Sequence, residues 1–102
     1  MVVGVLICDL LLGDVQSLKE KRSVVRPIVA ELRRKYDVSA AEAGHLDLHR
    51  RALVGVAVVA ADAAHVREVL AACERLVAGR PEVEVLSASL QLLSSTDDPE
   101  ED

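Results

Sequence analysis

An α+β domain with its elements in the order β-α-β-β-α-β is what this 102-residue chain predicts. Three observations lead there. Two long apolar runs rich in valine, VVGVLICDLLL and LVGVAVVA, have strand character. Each is followed by a stretch of helical periodicity with its own capping residue. A third alternating segment, EVEVLSASLQLL, comes after the second helix.

Val2–Leu12 is apolar on both alternations, which predicts a central strand covered on one face and partly on the other. Gly13-Asp14 ends it. Ser17 then offers a hydroxyl to an orphan amide of the first helical turn, and Glu20, three residues on, completes a capping box. Val25, Ile28, Val29, Leu32 and Tyr36 recur at helical spacing, with Leu18 on the same side two turns earlier. Pro27 conflicts with this run, because it lacks an amide proton and crowds the carbonyl four residues back. Two outcomes fit: a kink at Pro27, or a turn over Ser17–Arg22 and a main helix starting near Arg26.

Tyr36-Asp37 closes this helix. Val38–Ala43 reads as a short edge strand, Gly44 opens a turn through about His49, and Arg50–Ala61 reads as a second central strand. Asp62 caps a second helix, whose stripe is Val66, Val69, Leu70, Cys73, Leu76 and Val77, with Gly79 and Pro81 behind it. Glu82–Leu93 is the last strand. Leu86, Ala88, Leu90 and Leu92 share one face, while Val83, Val85, Ser87, Ser89 and Gln91 form a second face that turns polar midway. Residues 1–94 thus make one domain, and 95–102 an acidic tail expected to be disordered for want of an apolar anchor.

This order, with right-handed crossovers, is the split βαβ of a ferredoxin-like sandwich. Two helices would cover one face of a four-stranded antiparallel sheet, with the first and third strands in the middle. The other face would carry Val3, Val5, Ile7 and their neighbours. That apolar patch predicts a homodimer, formed through the open sheet face or an edge strand, and with it an alternative function: a dimeric ferredoxin-like module that binds a small ligand or a regulatory protein partner between subunits.

Composition narrows the function by exclusion. A 51% hydrophobic content rules out wholesale disorder. The formal charge of −5 resides in Asp97, Asp98, Glu100, Glu101 and Asp102, so the rest of the chain is neutral. Cys8 and Cys73 lie in apolar periodic contexts and read as buried reduced thiols. Asp9 interrupts the first apolar run far short of a membrane span, and no basic region precedes it. A soluble cytoplasmic protein without a membrane partner is expected.

No nucleophile elbow, phosphate-binding loop or dinucleotide fingerprint is present, and no base–nucleophile pair can be identified. The expectation is therefore a non-enzyme without a cofactor. His45, Asp47 and His49 form the one metal-like cluster, but it lacks an evident further nitrogen or sulfur ligand and reads as a solvated turn. The first helix stands out instead. Ser17–Tyr36 holds seven of the twelve basic residues against two acids. At about 100° per residue, Lys19, Arg22, Arg26 and Arg33 fall on one flank, with Glu20 and Glu31 toward the other. Basic side chains bordering an apolar stripe often only snorkel from it. The alternative is a surface that tracks nucleic-acid phosphates. With no Phe, no Trp and one Tyr, the sheet cannot stack bases, so any RNA would be held by phosphates and shape.

SLKEKR at Ser17–Arg22, VSAAE at Val38–Glu42, the HLDLH turn around Asp47, and LVGVAVVA at Leu53–Ala60 together resemble the YlxP-like bacterial proteins. The likeness runs from about Val2 to Leu93. It implies a ferredoxin-like fold and no established enzymatic activity. Family members are often encoded beside a translation initiation factor and a ribosome-binding factor, which implies a role in small-subunit maturation or translation. The expected partner is the small ribosomal subunit or its rRNA. Lys19, Lys21 and Arg22 carry over from the motif as nucleic-acid-binding residues, and the residue pattern itself adds Arg26 and Arg33. One departure is evident: Leu48 and His49 stand where the family often has an aromatic residue.

Overall fold

In a computed structural model the described residues are 1–95, and the elements are β1 (Val2–Leu12), α1 (Leu18–Tyr36), β2 (Ser39–Gly44), β3 (Arg51–Ala60), α2 (Ala63–Ala78) and β4 (Val83–Ser94). The sheet order is β2-β3-β1-β4, and every neighbouring pair is antiparallel. This is the ferredoxin-like α+β sandwich, with β1 and β3 central. The acidic stretch predicted for 95–102 lies outside the described residues except for Ser95. Ser95 is tied down, donating its amide to the Met1 carbonyl at 3.1 Å.

Alternation along β1 sorts its residues cleanly. Leu6, Cys8, Leu10 and Leu12 are fully buried on the helix side, where Ala52, Val54 and Val56 of β3 join them. Val25, Ile28 and Leu32 of α1 and Val66, Leu70, Cys73 and Val77 of α2 fill the layer above. α2 sits so close to β1 that a Cβ on Gly4 would lie 2.3 Å from Val66 Cγ1 and 2.7 Å from Leu70 Cδ1. Only a residue without a side chain fits there.

Helix α1 runs as one element through Pro27, so it is not divided into a turn and a main helix starting near Arg26; Pro27 lies on the exposed side. The Ser17 hydroxyl accepts from the Glu20 amide at 3.0 Å, and Glu20 accepts from the Gln16 amide at 2.6 Å rather than from Ser17 itself. Asp37 closes the helix in the left-handed region at φ 51, a conformation that Asp tolerates better than most residues. Tyr36 packs against the core, as its place on the apolar stripe predicts.

In β4 the sheet modifies the expected faces. Leu10 pairs with Val85 and Asp9 with Ser87, which leaves Leu86 as an extra residue in a β-bulge. The bulge brings Val83 and Val85 onto the helix side together with Ala88, Leu90 and Leu92. The face that turned polar midway in the sequence is thus two half-faces joined at Leu86. A second irregularity ends β2. Gly44 stands opposite Leu53, and a Cβ there would come within 2.8 Å of Leu53 Cδ2.

Candidate nucleic-acid interface

The basic flank of α1 faces edge strand β2. Between them lies a groove of 450 Å³ lined by Arg22, Val25, Arg26, Val29, Ala30, Arg33, Ala41 and Glu42. Arg22, Arg26 and Arg33 are spaced four and seven residues apart, so they project within one narrow sector over about 16 Å of helix. All three are exposed, and none forms an ion pair among the described residues. Arg33 Nε donates to the Ala40 carbonyl at 2.9 Å, which fixes its stem against the outer edge of β2. Lys19 is also exposed, one turn before Arg22, but does not line the groove.

Lys21 does not belong to this surface. Its side chain is 2% exposed, and its ammonium lies 2.6 Å from Glu42 Oε2 and donates to the His45 carbonyl at 2.6 Å. The expectation that it contacts nucleic acid is therefore corrected, because a buried and doubly engaged ammonium cannot reach a phosphate. The reason is positional. Lys21, Val25, Ile28 and Leu32 stand four, seven and eleven residues along one stripe, so the helix carries Lys21 inward with the apolar residues. Its partner turns an acid of the groove wall into half of an internal pair. The groove therefore presents three arginines, with its one carboxylate already neutralised.

The turn after β2 continues the network. His45 adopts a positive φ of 57, and its carbonyl accepts from Leu48 N at 3.0 Å as well as from Lys21. Its Nε2 lies 3.3 Å from Asp9 Oδ1 on the open face of the sheet. Arg51 Nη2 is 2.8 Å from both Asp9 oxygens. These hydrogen bonds from Arg51, followed by the charges of Arg51 and His45, hold the Asp9 carboxyl below the usual carboxylate range. Asp47 and His49 are exposed and apart from this set. Among the described residues no group of three or more His, Cys, Asp or Glu side chains is gathered in a way that could hold a metal ion.

The cysteines are buried under α2. Burial first, then the charges of Glu74 and Cys73, pushes the Cys8 thiol up to about 11, and burial raises Cys73 as well. Burial thus disfavours the nucleophilic thiolate at both positions. No helix of the described residues is long and apolar enough to cross a membrane.

The Lys21–Glu42 pair was legible only in part, through the position of Lys21 on the apolar stripe. Asp9, Arg51 and the side chain of His45 were not singled out together. They are 36 and 42 residues apart from Asp9 in sequence, and their meeting depends on sheet register.

The fold and groove define a small ferredoxin-like domain with an arginine-lined cleft beside one edge strand. The chain belongs to the family described as "Protein of unknown function (DUF503)", which it matches over residues 3–90. It is similar to "Uncharacterized protein YlxP" of Bacillus subtilis (strain 168), with 30% identity over 82 residues, which cover 80% of this chain and 89% of the relative. The residues of the SLKEKR stretch are largely architectural here. Ser17 and Glu20 start α1, and Lys21 locks it to Glu42 and the turn.

Proposed function

We infer that this protein is a non-enzymatic accessory factor that binds RNA backbone phosphates, those of the small ribosomal subunit, through the groove between α1 and β2. The observation that carries this reading is the convergence of Arg22, Arg26 and Arg33 on one exposed cleft whose only acid is already paired with Lys21. Guanidinium groups present a fork of donors that matches phosphate oxygens, and each neutralised phosphate releases counterions. The association with the small subunit comes from the setting in which YlxP-like proteins are encoded.

The test is fluorescence anisotropy of a labelled single-stranded RNA across a salt series. Three phosphate contacts give a slope of about −2 in log K against log salt. Arg22→Glu/Arg26→Glu/Arg33→Glu abolishes the binding, whereas Arg34→Glu, on the outer face and paired with Glu31, leaves it intact. Binding that ignores salt, or that survives the triple substitution, removes the reading.

The other function raised by the sequence, a ligand held between subunits on the open sheet face, has less support. The open face carries depressions of 220 Å³ beside Ala41 and Gly55 and 280 Å³ beside Val3 and Leu93, neither with a charged residue in its lining.

A further inference from the structure

The two edges of the sheet are finished differently. Strand β2 is short, bulged at its end and covered by Arg33, whose Nε occupies the Ala40 carbonyl. These are the usual devices by which an edge is kept from pairing with another chain. Strand β4 has few of them. It runs for twelve residues, VEVLSASLQLLS, without Pro, Lys or Arg, and Glu84 is its one charge. Its only irregularity is the bulge at Leu86. Its middle is apolar and uncovered: the bulge residue Leu86 is 45% exposed and Leu90, on the helix side, 39%, with Ala88 exposed between them.

An occupant of this edge must offer both a free backbone ladder and alternate apolar side chains. Strand β4 itself offers both. Antiparallel pairing about Ala88 sets Ser87 against Ser89 of the partner subunit and brings Leu86, at the bulge, beside Leu90 of the partner subunit. Glu84, the one charge of the strand, lies beyond the bulge on the open face and four residues from the axis, so no like charges face each other. We propose that two copies of this chain associate through β4, joining their sheets into one of eight strands across a two-fold axis.

This inference is independent of the RNA reading but has a consequence for it. The α1–β2 grooves lie on the edges that remain free. Seven inter-strand spacings would separate the two β2 strands, about 34 Å. A dimer of this kind presents two arginine grooves at its ends.

Sedimentation velocity on the full chain, from micromolar to millimolar concentration, tests the proposal. Wild type sediments at twice the 11.0 kDa chain mass. Leu86→Lys/Leu90→Lys opposes lysines across the axis and sediments as a monomer, as does Leu86→Glu/Leu90→Glu. Mixing the two variants restores a dimer, and native mass spectrometry finds one copy of each in it. Rescue by mixing shows that both variants are folded. A monomeric wild type overturns the proposal. So does a dimer that survives either double substitution, since it would be formed through another face.

Discussion

Replacing Lys21 by methionine tests the claim that this motif residue supports the fold. Methionine matches the length of the lysine stem and keeps much of its packing. What it removes is the ammonium that lies 2.6 Å from Glu42 Oε2 and donates to the His45 carbonyl. Breaking one side of a buried ion pair costs about 3–5 kcal/mol, because the other charge is left without compensation. Two features place the cost at the low end. The Glu42 side chain is 19% exposed, so water reaches it in part, and the His45 carbonyl keeps its bond from Leu48 N. About 3 kcal/mol follows, a large share of the roughly 5–15 kcal/mol available to a domain. In a chain of this size that lowers Tm by roughly 12–20 °C. Urea denaturation followed by circular dichroism measures it directly, with the midpoint moving and the m-value constant. The companion Lys21→Met/Glu42→Leu removes both charges and recovers most of the loss. A single variant that loses less than about 1 kcal/mol, the scale of an exposed pair, would refute the argument.

Three further outcomes are expected. Gly4→Ala forces a Cβ to within 2.3 Å of Val66 and costs about 1–3 kcal/mol by pushing α2 off β1, read as a shift in urea midpoint. Cys8 and Cys73 resist a disulfide-exchange reagent at pH 8 in the native protein and react at once in guanidinium; at an ionisation point of about 11 only about one Cys8 thiol in a thousand is ionised there. The Asp9 carboxyl is held below its unfolded value, so its stabilising effect is complete above about pH 4 and lost as pH falls through the lower folded value. Arg51→Met therefore lowers stability at neutral pH and flattens the loss on acidification. An unchanged acid limb in that variant would show that Arg51 does not hold Asp9.

Most of the fold was legible because its signals are local or strictly periodic. The Asp62 cap, the Val66–Val77 stripe and the closing Gly79 together mark α2 to within a residue. The assignment of Val3, Val5 and Ile7 to the face of β1 away from the helices likewise agrees with the burial pattern, since a strand with one covered face has no freedom in its phase. Pro27 does not split the helix, although an isolated helix loses a hydrogen bond there, because this one is held on both sides of the proline by Val25, Ile28 and Val29 in the core. Leu86 announced itself only as a face that changed character, and the bulge that explains it belongs to the pairing with β1.

The candidate site divides in the same way. Helical angles alone gathered Arg22, Arg26 and Arg33. They could not show that β2 completes a groove with them. Lys21 was misplaced because it was carried over with the SLKEKR motif, when its own position on the apolar stripe argued the opposite. Asp9, His45 and Arg51 meet through register and a left-handed turn, and neither is written in any short stretch of sequence.

The central claim is that the groove arginines, and not the buried motif lysine, carry RNA binding. Co-sedimentation with small ribosomal subunits across a salt series tests it most directly. The proteins to compare are wild type, Arg22→Glu/Arg26→Glu/Arg33→Glu and Lys21→Met/Glu42→Leu. Wild type and the charge-neutral pair variant pellet with the subunit at low salt and are released together as salt rises, while the triple variant stays in the supernatant. Pelleting by the triple variant, or no pelleting by wild type with mature or immature subunits at any salt, would contradict the account.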